Sequence, residues 1–507
     1  MVFVAKIAII IFLSSILSKV IGFYREVLIG QIYGASAITD AFFISLTIPW
    51  TLFGVISSGV LSSYLPMYSN IYSKNPKEAN EFTSFLINII SFIIVPIFYL
   101  LIYFFSYDLV GLFGNNFTES EINLTVTFLR ITAFVLFFTG VLSVWTGKLQ
   151  YHNFFLIVPL SGVLLNTVII ICIFLSTKVS VYYLPLSIVL GNCIQFFIIA
   201  FYMKRKKLMK YEFTFKVNHS NLTRFIKLIV PIMISASSLQ LIYFVDQIIA
   251  SKTVLGGVSL VNYTQKINEV FVQLFIITIL SIIFPKLSKI SNKNMEFNLV
   301  LKNSLEIMIF ITIPLVFFIT NNSKNIISII YGSNSFSLNE ITVMSNLLIL
   351  YSLSLIFIAV KELLMRALFS KRISNVTMYL SFIMLILNTA LSYKLSMAYG
   401  LIGIPSAAVL SNFITILILF SYLNFKLKTN LFNKKIITNS IFLIVSSFLS
   451  ILFANLLNEL INLNSSHIFT LIFNCISFLI FLCLFLLLFK KIDYYKSITK
   501  ELNNNDH

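Results

Sequence analysis

Charge is what this chain does without. Only 11% of its 507 residues are charged, where an ordinary soluble domain carries about 25%. Hydrophobic residues make up 58%, and the mean hydropathy is +0.96. That balance excludes a soluble globular protein of this length. Cysteine is scarce too. Cys172, Cys193, Cys475 and Cys483 all lie inside apolar runs, at spacings that suit neither a disulfide framework nor a metal site, and read as buried thiols. The four histidines (His152, His219, His467, His507) are scattered and form no H-E-x-x-H. No G-x-x-x-x-G-K-[ST] loop is present, since Gly140 and Gly147-Lys148 are spaced wrongly for one. This argues against ATP hydrolysis of the usual kind.

What is there is apolar length. Runs near 20 residues recur from end to end, each long enough to cross a ~30 Å hydrocarbon core as a helix. Fourteen spans are expected, at roughly 4–33, 38–68, 81–106, 123–147, 154–177, 182–203, 222–250, 257–285, 299–320, 339–365, 374–394, 401–424, 436–457 and 468–489. The runs lack sustained alternation and are about twice the length of a barrel strand, so the expected class is all-α and polytopic. The first run carries charge, continues past 20 residues and shows no A-x-A-like site, and reads as a retained helix rather than a signal peptide.

The formal charge is +18, which could suggest nucleic acid. Its placement argues against that. With the N-terminus inside, the even-to-odd loops hold Lys74, Lys77, Lys148, Lys204 to Lys207, Lys210, Lys216, Lys286, Lys289, Lys293, Lys371, Arg372, Lys426, Lys428, Lys434 and Lys435. The opposite loops hold little beyond Lys178, Lys252, Lys324 and Lys394, together with Asp108, Glu119 and Glu121. This is the positive-inside pattern. The expected partners of the basic loops are anionic membrane lipids, not nucleic acid. An even number of spans puts both termini in the cytoplasm.

A repeat is also visible. "SSYLPMYSNI" ends the second span and "SIIFPKLSKI" the eighth, with Pro66 and Pro285, and Ser69 and Ser288, offset by 219. Glu26 and Asp246 are offset by 220. Six spans per repeat implies two parallel halves, an arrangement of secondary transporters. The expected domains are a first six-helix half (1–203), a basic cytoplasmic linker (204–221), a second half (222–424), helices thirteen and fourteen (425–489) and a cytoplasmic tail (490–507). The last two spans are almost free of charge, which suits packing against lipid.

Charges in mid-span cost about 2.5–3.5 kcal/mol each on insertion scales and usually face a cavity. In the first half they are Lys19, Arg25, Glu26 and Asp40; in the second, Asp246, Lys266 and Glu269, then Lys361, Glu362 and Arg366 toward the cytoplasmic end of span ten. Lys19 and Glu26 share a helix face and Arg25 lies off it. A bend at Gly22 would re-aim Arg25. Lys19, Arg25 and Lys266 together suit an anionic ligand such as phosphate, at a site expected between the halves. The plainer reading is ion pairing, of Arg25 with Asp40 and of Lys266 with Glu269. Pro49, Pro231, Pro285 and Pro405 sit in spans as candidate kinks.

"LSKVIGFYREVLIGQIYGASAITDAFFISLTIP" resembles the first hairpin of the MurJ/MviN family, which reads like L-S-R-x-x-G-x-x-R-[DE] and then F-G-A-G-x-x-[TS]-D-A-F. "VDQIIAS" and "VNYTQKINEV" resemble that family's seventh and eighth spans. The resemblance implies the multidrug/oligosaccharidyl-lipid/polysaccharide exporter (MOP) superfamily and a MATE-like architecture. It implies a flippase that moves lipid II, an undecaprenyl-diphosphate-linked saccharide for peptidoglycan, across the bacterial inner membrane by alternating access. The family's cavity cations fall on Lys19, Arg25 and Lys266, and its acidic gating or pairing residues on Glu26, Asp40 and, by helix spacing, Glu269. Trp50, Phe53, Gly54 and Ser58 stand where the family pattern has asparagine, an arginine pair and glutamate. A cation site implied by some members falls on Asp246, Asn388 and Ser392, so Na+ or H+ coupling is an option. No cofactor, no enzyme activity and a monomer are expected. Alternatives at this point are an O-antigen or capsular repeat-unit flippase, a cation-coupled multidrug antiporter, and a non-transporting scaffold for glycan enzymes.

Overall fold

A chain segment inside a bilayer must satisfy every backbone N–H and C=O within itself, so apolar runs of this length become helices. The computed structural model describes residues 2–114, 117–332, 335–371, 373–427, 434–461 and 467–488. Arg372, Lys428, His507 and the expected tail 490–507 lie outside the described residues. The described residues form fourteen long helices and one short one: α1 (Val2–Tyr33), α2 (Ala37–Tyr72), α3 (Pro76–Phe104), the short α4 (Ser106–Gly111), α5 (Glu119–Tyr151), α6 (Ile157–Lys178), α7 (Tyr183–Arg205), α8 (His219–Thr253), α9 (Gly257–Lys289), α10 (Asn294–Tyr331), α11 (Leu338–Ser370), α12 (Ser374–Tyr399), α13 (Gly403–Leu427), α14 (Lys434–Ile461) and α15 (His467–Leu488). Eleven helical stretches among them are long and apolar enough to span a membrane, and one of these, Asn375–Lys426, holds both α12 and α13. Helices α1 and α8, of 32 and 35 residues, stand outside those eleven. At 1.5 Å per residue each is long enough to cross.

Polar residues at the loops set where helices begin. Ser36 and Thr39 form a capping box at the start of α2, Thr118 and Glu121 one at α5, and Ser337 and Glu340 one at α11. Asn75 accepts from the Lys77 and Glu78 N–H groups, with Pro76 in the first position of α3. A π-turn at Ile90–Ile94 lies just before Val95 and Pro96, the latter's ring and missing N–H disturbing the regular ladder. A second π-turn lies at Val272–Ile277 in α9. Pro49 and Pro285 lie inside α2 and α9. Pro405 falls in the first turn of α13, where an absent N–H costs nothing, so it is not a mid-helix kink.

The chain divides into two compact units, Met1–Ser259 and Leu260–His507. In the first, α2 is the central helix, packed by α5 and α8, while α6 packs between α1 and α7. Its buried stripe includes Phe42, Ile44, Ile48, Tyr64 and Tyr68. The helix after the linker, α8, thus clusters with the helices before it. The linker itself lies along α3. Asn88 Nδ2 donates to the Thr214 carbonyl (2.8 Å), Tyr211 Oη donates to Asn88 Oδ1 (2.5 Å), and the Glu212 N–H donates to Ser84 Oγ (3.1 Å). Asn218 and Asn221 both donate to Glu78 Oε1.

In the second unit α10 packs on α11, and α11 on α13, which pairs with α12. The last two helices, α14 and α15, pair with each other and sit on α10. Ile313, Leu443, Phe478, Leu482 and Leu486 make the apolar part of that seam. Its polar part is amide pairing: Asn474 Nδ2 donates to Asn322 Oδ1 (2.8 Å), and Asn321 and Asn455 exchange two hydrogen bonds (3.0 and 3.1 Å). Interhelical amide bonds of this kind hold helices together where apolar contact gives no preference over lipid.

Candidate functional site

Arg25 and Asp40, charges of the first two helices, are held in two separate places. Helix α1 runs unbroken through Gly22. The Arg25 guanidinium is gripped on both sides. Its Nη1 donates to Asn166 Oδ1 of α6 (3.0 Å), and its Nη2 pairs with the carboxylate of the adjacent Glu26. Asn166 is itself oriented by its Nδ2, which donates to the carbonyl oxygen of Gly162 (2.9 Å) and, more loosely, to that of Ser18 (3.4 Å). Arg25 and Glu26 are both largely buried, and Glu26 Oε2 has no hydrogen-bond partner among the described residues. A planar guanidinium fixed on two of its edges keeps its remaining N–H groups in a set direction, which is the property that suits it to phosphate. Lys19 lies two turns earlier on α1 and is exposed.

Asp40 is elsewhere. It is fully buried in the first turn of α2, and its carboxylate binds the residues that open α9. Oδ2 accepts from the Gly256 N–H (2.9 Å); Oδ1 accepts from the Ser259 N–H (2.8 Å) and the Ser259 hydroxyl (2.5 Å). A carboxylate at a helix N-terminus answers free N–H groups and the positive end of the helix dipole together. Ser259 Oγ also donates to Thr39 Oγ1 (2.8 Å). Gly256 adopts φ +78°, and a Cβ there would stand 2.6 Å from the Ala35 carbonyl oxygen, so this joint needs glycine. Asp40 therefore keeps company with Gly256 and Ser259 here, and Arg25 with Glu26 and Asn166.

The positions where the family pattern carries an arginine pair are filled differently. Phe53 is buried edge-on against Phe98 (6.3 Å between centroids). Gly54 backs onto α8, where a Cβ would come within 2.9 Å of Gln240 Nε2. Trp50 is exposed, and Ser58 Oγ returns to the Val55 carbonyl (3.0 Å). Apolar packing between α2 and its neighbours has replaced cationic groups at this level. Asp246, on α8, is buried.

In the second unit Lys266 Nζ pairs with Glu269 Oε2 (2.9 Å) one turn along α9, both side chains partly exposed. Lys361 is buried on α11, 3.6 Å from Glu362 Oε1 and 3.7 Å from Met384 Sδ. The Arg366 guanidinium stacks over Phe284 at 5.5 Å. On α12, Asn388 and Ser392 lie one turn apart and are fully buried. Asn388 Nδ2 donates to Ser411 Oγ (3.1 Å), while its Oδ1 has no hydrogen-bond partner among the described residues. No group of three or more His, Cys, Asp or Glu residues suited to a metal occurs among the described residues.

Sequence reasoning missed Asn166, Ser259 and Gly256, the groups that decide where the charges point. Asn166 had a signal, as a lone amide in the apolar run "GVLLNTVIII". The other two had none beyond a glycine pair at a helix start.

The model of the lipid II flippase MurJ family matches residues 29–475. Among relatives, the lipid II flippase MurJ of Thermosipho africanus (strain TCF52B) is 28% identical over 440 residues, covering 86% of this chain and 89% of its own. A probable lipid II flippase MurJ of Buchnera aphidicola subsp. Acyrthosiphon pisum (strain APS) is 26% identical over 421 residues, with 80% and 81% covered. A solved structure of lipid II flippase MurJ in an inward closed conformation superposes with a TM-score of 0.81 at 25% identity, covering 94% of this chain and 99% of that one. An inward-facing multidrug-resistance MATE transporter of the MOP superfamily shares the fold, with a TM-score of 0.68 at 14% identity over 83% of this chain and 98% of that one. A family match across nearly the whole length, on an all-helical membrane fold of this architecture, makes this chain a member of the MurJ lipid II flippase family.

Proposed function

We propose that this chain moves lipid II, an undecaprenyl-diphosphate-linked saccharide, across the bacterial inner membrane by alternating access, with both termini in the cytoplasm. The observation that carries the reading is the family match over residues 29–475. Arg25 is its chemical counterpart: a guanidinium inside an apolar helix, aimed by Asn166 and Glu26. Lys19 in the first unit and Lys266 in the second are the further candidates for diphosphate contact. Glu26 and Glu269 would compete with the anion for these cations, so that a bound diphosphate releases the carboxylates and an empty protein retains them. Translocation forms and breaks no covalent bond, so no catalytic residue is assigned. A drug antiporter or a carrier of surface-polysaccharide repeat units is less well supported, since the family match names neither.

Coupling to Na+ or H+ is proposed through two elements taken separately. Asp246 offers a buried carboxylate on α8. Asn388 offers a buried carbonyl oxygen without a hydrogen-bond partner among the described residues, with the Ser392 hydroxyl one turn away on α12. Oxygen donors of this kind suit a hard cation.

The test is rescue of a strain depleted of its own lipid II flippase. The wild-type chain restores growth; Arg25→Gln, expressed to the same level, does not; Lys19→Gln and Lys266→Gln weaken rescue. A well-expressed chain that rescues nothing here, yet restores a strain lacking a surface-polysaccharide exporter, overturns the assignment.

A further inference from the structure

Helices α3, α5 and α7 separate at one end of the first unit and leave a cavity of about 230 Å³ beneath the linker. Its lining is ordered along the helix axes. Lys148, in the last turn of α5, and Lys210, on the linker, stand at the loop end beside Ser84. Further in come Phe92 of α3 and Trp145 of α5, the latter stacked on Phe196 of α7 (4.8 Å between centroids). Lys148 lies seven residues beyond Val141 on the same wall, about 10 Å at the helical rise. One end is thus cationic and the other apolar and aromatic.

Lys148 is the anomaly. It is 2% exposed, and its Nζ makes one hydrogen bond, to Asn80 Oδ1 (2.8 Å), with the Tyr68 ring 5.6 Å away. No carboxylate among the described residues pairs with it. An ammonium has three donors, and a buried charge is retained when something anionic answers it. Placement at the C-terminal end of α5 and over a tyrosine face explains part of its tolerance. Neither explains why Lys210 is brought to the same cavity.

We propose that this cavity binds an anionic phospholipid of the cytoplasmic leaflet, with its phosphate between Lys148 and Lys210 and the start of one acyl chain against Trp145, Phe196 and Phe92. At 230 Å³ the space is smaller than the 300–1,000 Å³ usual for a drug-sized ligand, so it takes a headgroup junction and part of one chain rather than a whole lipid. Phe92, at the apolar end, is exposed, and the linker's Phe213 meets its ring edge-on (5.5 Å between centroids). A phosphate bridging Lys148 and Lys210 would tie the linker to α5, on the face where Asn88 and Ser84 already hold it.

The chain has two tryptophans, Trp50 and Trp145. Trp50→Phe therefore leaves a reporter inside the cavity. This full-length variant is placed in phosphatidylcholine vesicles containing phosphatidylglycerol, with bromine on the chains of one lipid or the other. Brominated phosphatidylglycerol is expected to quench Trp145 at a mole fraction lower by about fivefold for each lysine engaged. Lys210→Gln and Lys148→Gln each remove about that factor. Lys210 is exposed on the linker, so its variant reports even where Lys148→Gln fails to fold. Identical quenching by both lipids, or no change in Lys210→Gln, overturns the proposal. So does a shift of Trp145 emission by inorganic phosphate alone that equals the shift given by phosphatidylglycerol, since the ligand would then come from solution.

Discussion

Asp40 offers a test of how the charges are partnered. Its carboxylate accepts hydrogen bonds from the Gly256 and Ser259 N–H groups and the Ser259 hydroxyl, with the Val258 N–H also directed at it, and is fully buried. Asp40→Ala leaves at least the Gly256 and Ser259 N–H groups without their acceptor, while the Ser259 hydroxyl falls back on Thr39. A buried donor left unpaired costs about 1–3 kcal/mol, and polar contacts between helices in bilayers average about 0.6 and reach about 1.7 kcal/mol. Asp40→Ala should therefore cost about 2–4 kcal/mol, and Asp40→Asn, which keeps one oxygen, about half of that. The assay is reversible unfolding in mixed micelles, run as two double-mutant cycles. Asp40→Asn with Ser259→Ala should couple by about 1 kcal/mol or more, because both act on one joint. Asp40→Asn with Arg25→Gln should be additive to within about 0.5 kcal/mol, because these residues share no partner. Strong coupling to Arg25 with none to Ser259 would show that Asp40 is an ion-pair partner of Arg25, and the capping account would fail.

Two further outcomes follow from the same geometry. Asn474→Leu leaves Asn322 Oδ1 without its buried donor and should loosen α15 from α10 by about 1 kcal/mol, whereas Asn322→Leu with Asn474→Leu removes both ends and should recover much of the loss; interhelical crosslinking yield measures this. His152, just past α5, has its pKa pushed below the usual 6.5 by burial and then by the nearby Lys148 charge. Folding thus disfavours its cationic form, so stability is full above about pH 6.5 and declines as the pH drops below it. Melting temperatures at pH 5.5 and 7.5 should differ less in His152→Gln than in the wild type, and an unchanged difference would remove His152 from the account.

Much of the fold was legible because its causes are local. Each expected span falls on a long helix among the described residues, and eleven helical stretches there are long and apolar enough to cross a membrane, since apolar content over about 20 residues is read within each segment. Capping residues such as Ser36 and Thr118 mark starts in the same local way. The intramembrane charges were legible as well, since any charge in such a run stands out. Their partners were not. Arg25 meets Asn166 across 141 residues of sequence, and Asp40 meets Ser259 across 219. Nothing in the spacing of residues 19 to 40 says which of two nearby acids takes the guanidinium. The seam of α14 and α15 on α10 was expected as lipid-facing packing. Its asparagine pairs became visible only once both helices were in place.

The sequence by itself determined that this chain lives in a membrane, where its helices run, and to which family its first hairpin belongs. Each of these is a property of contiguous residues and the solvent they can tolerate. Only the tertiary structure decided that Glu26 and Asn166 hold Arg25, that Asp40 pins the start of α9, that Phe53 and Gly54 turn a cationic level into packing, and that Lys148 and Lys210 face one cavity. Those outcomes depend on which helix faces lie against one another. A low-dielectric interior then makes each polar group take whichever partner that packing brings within about 3 Å.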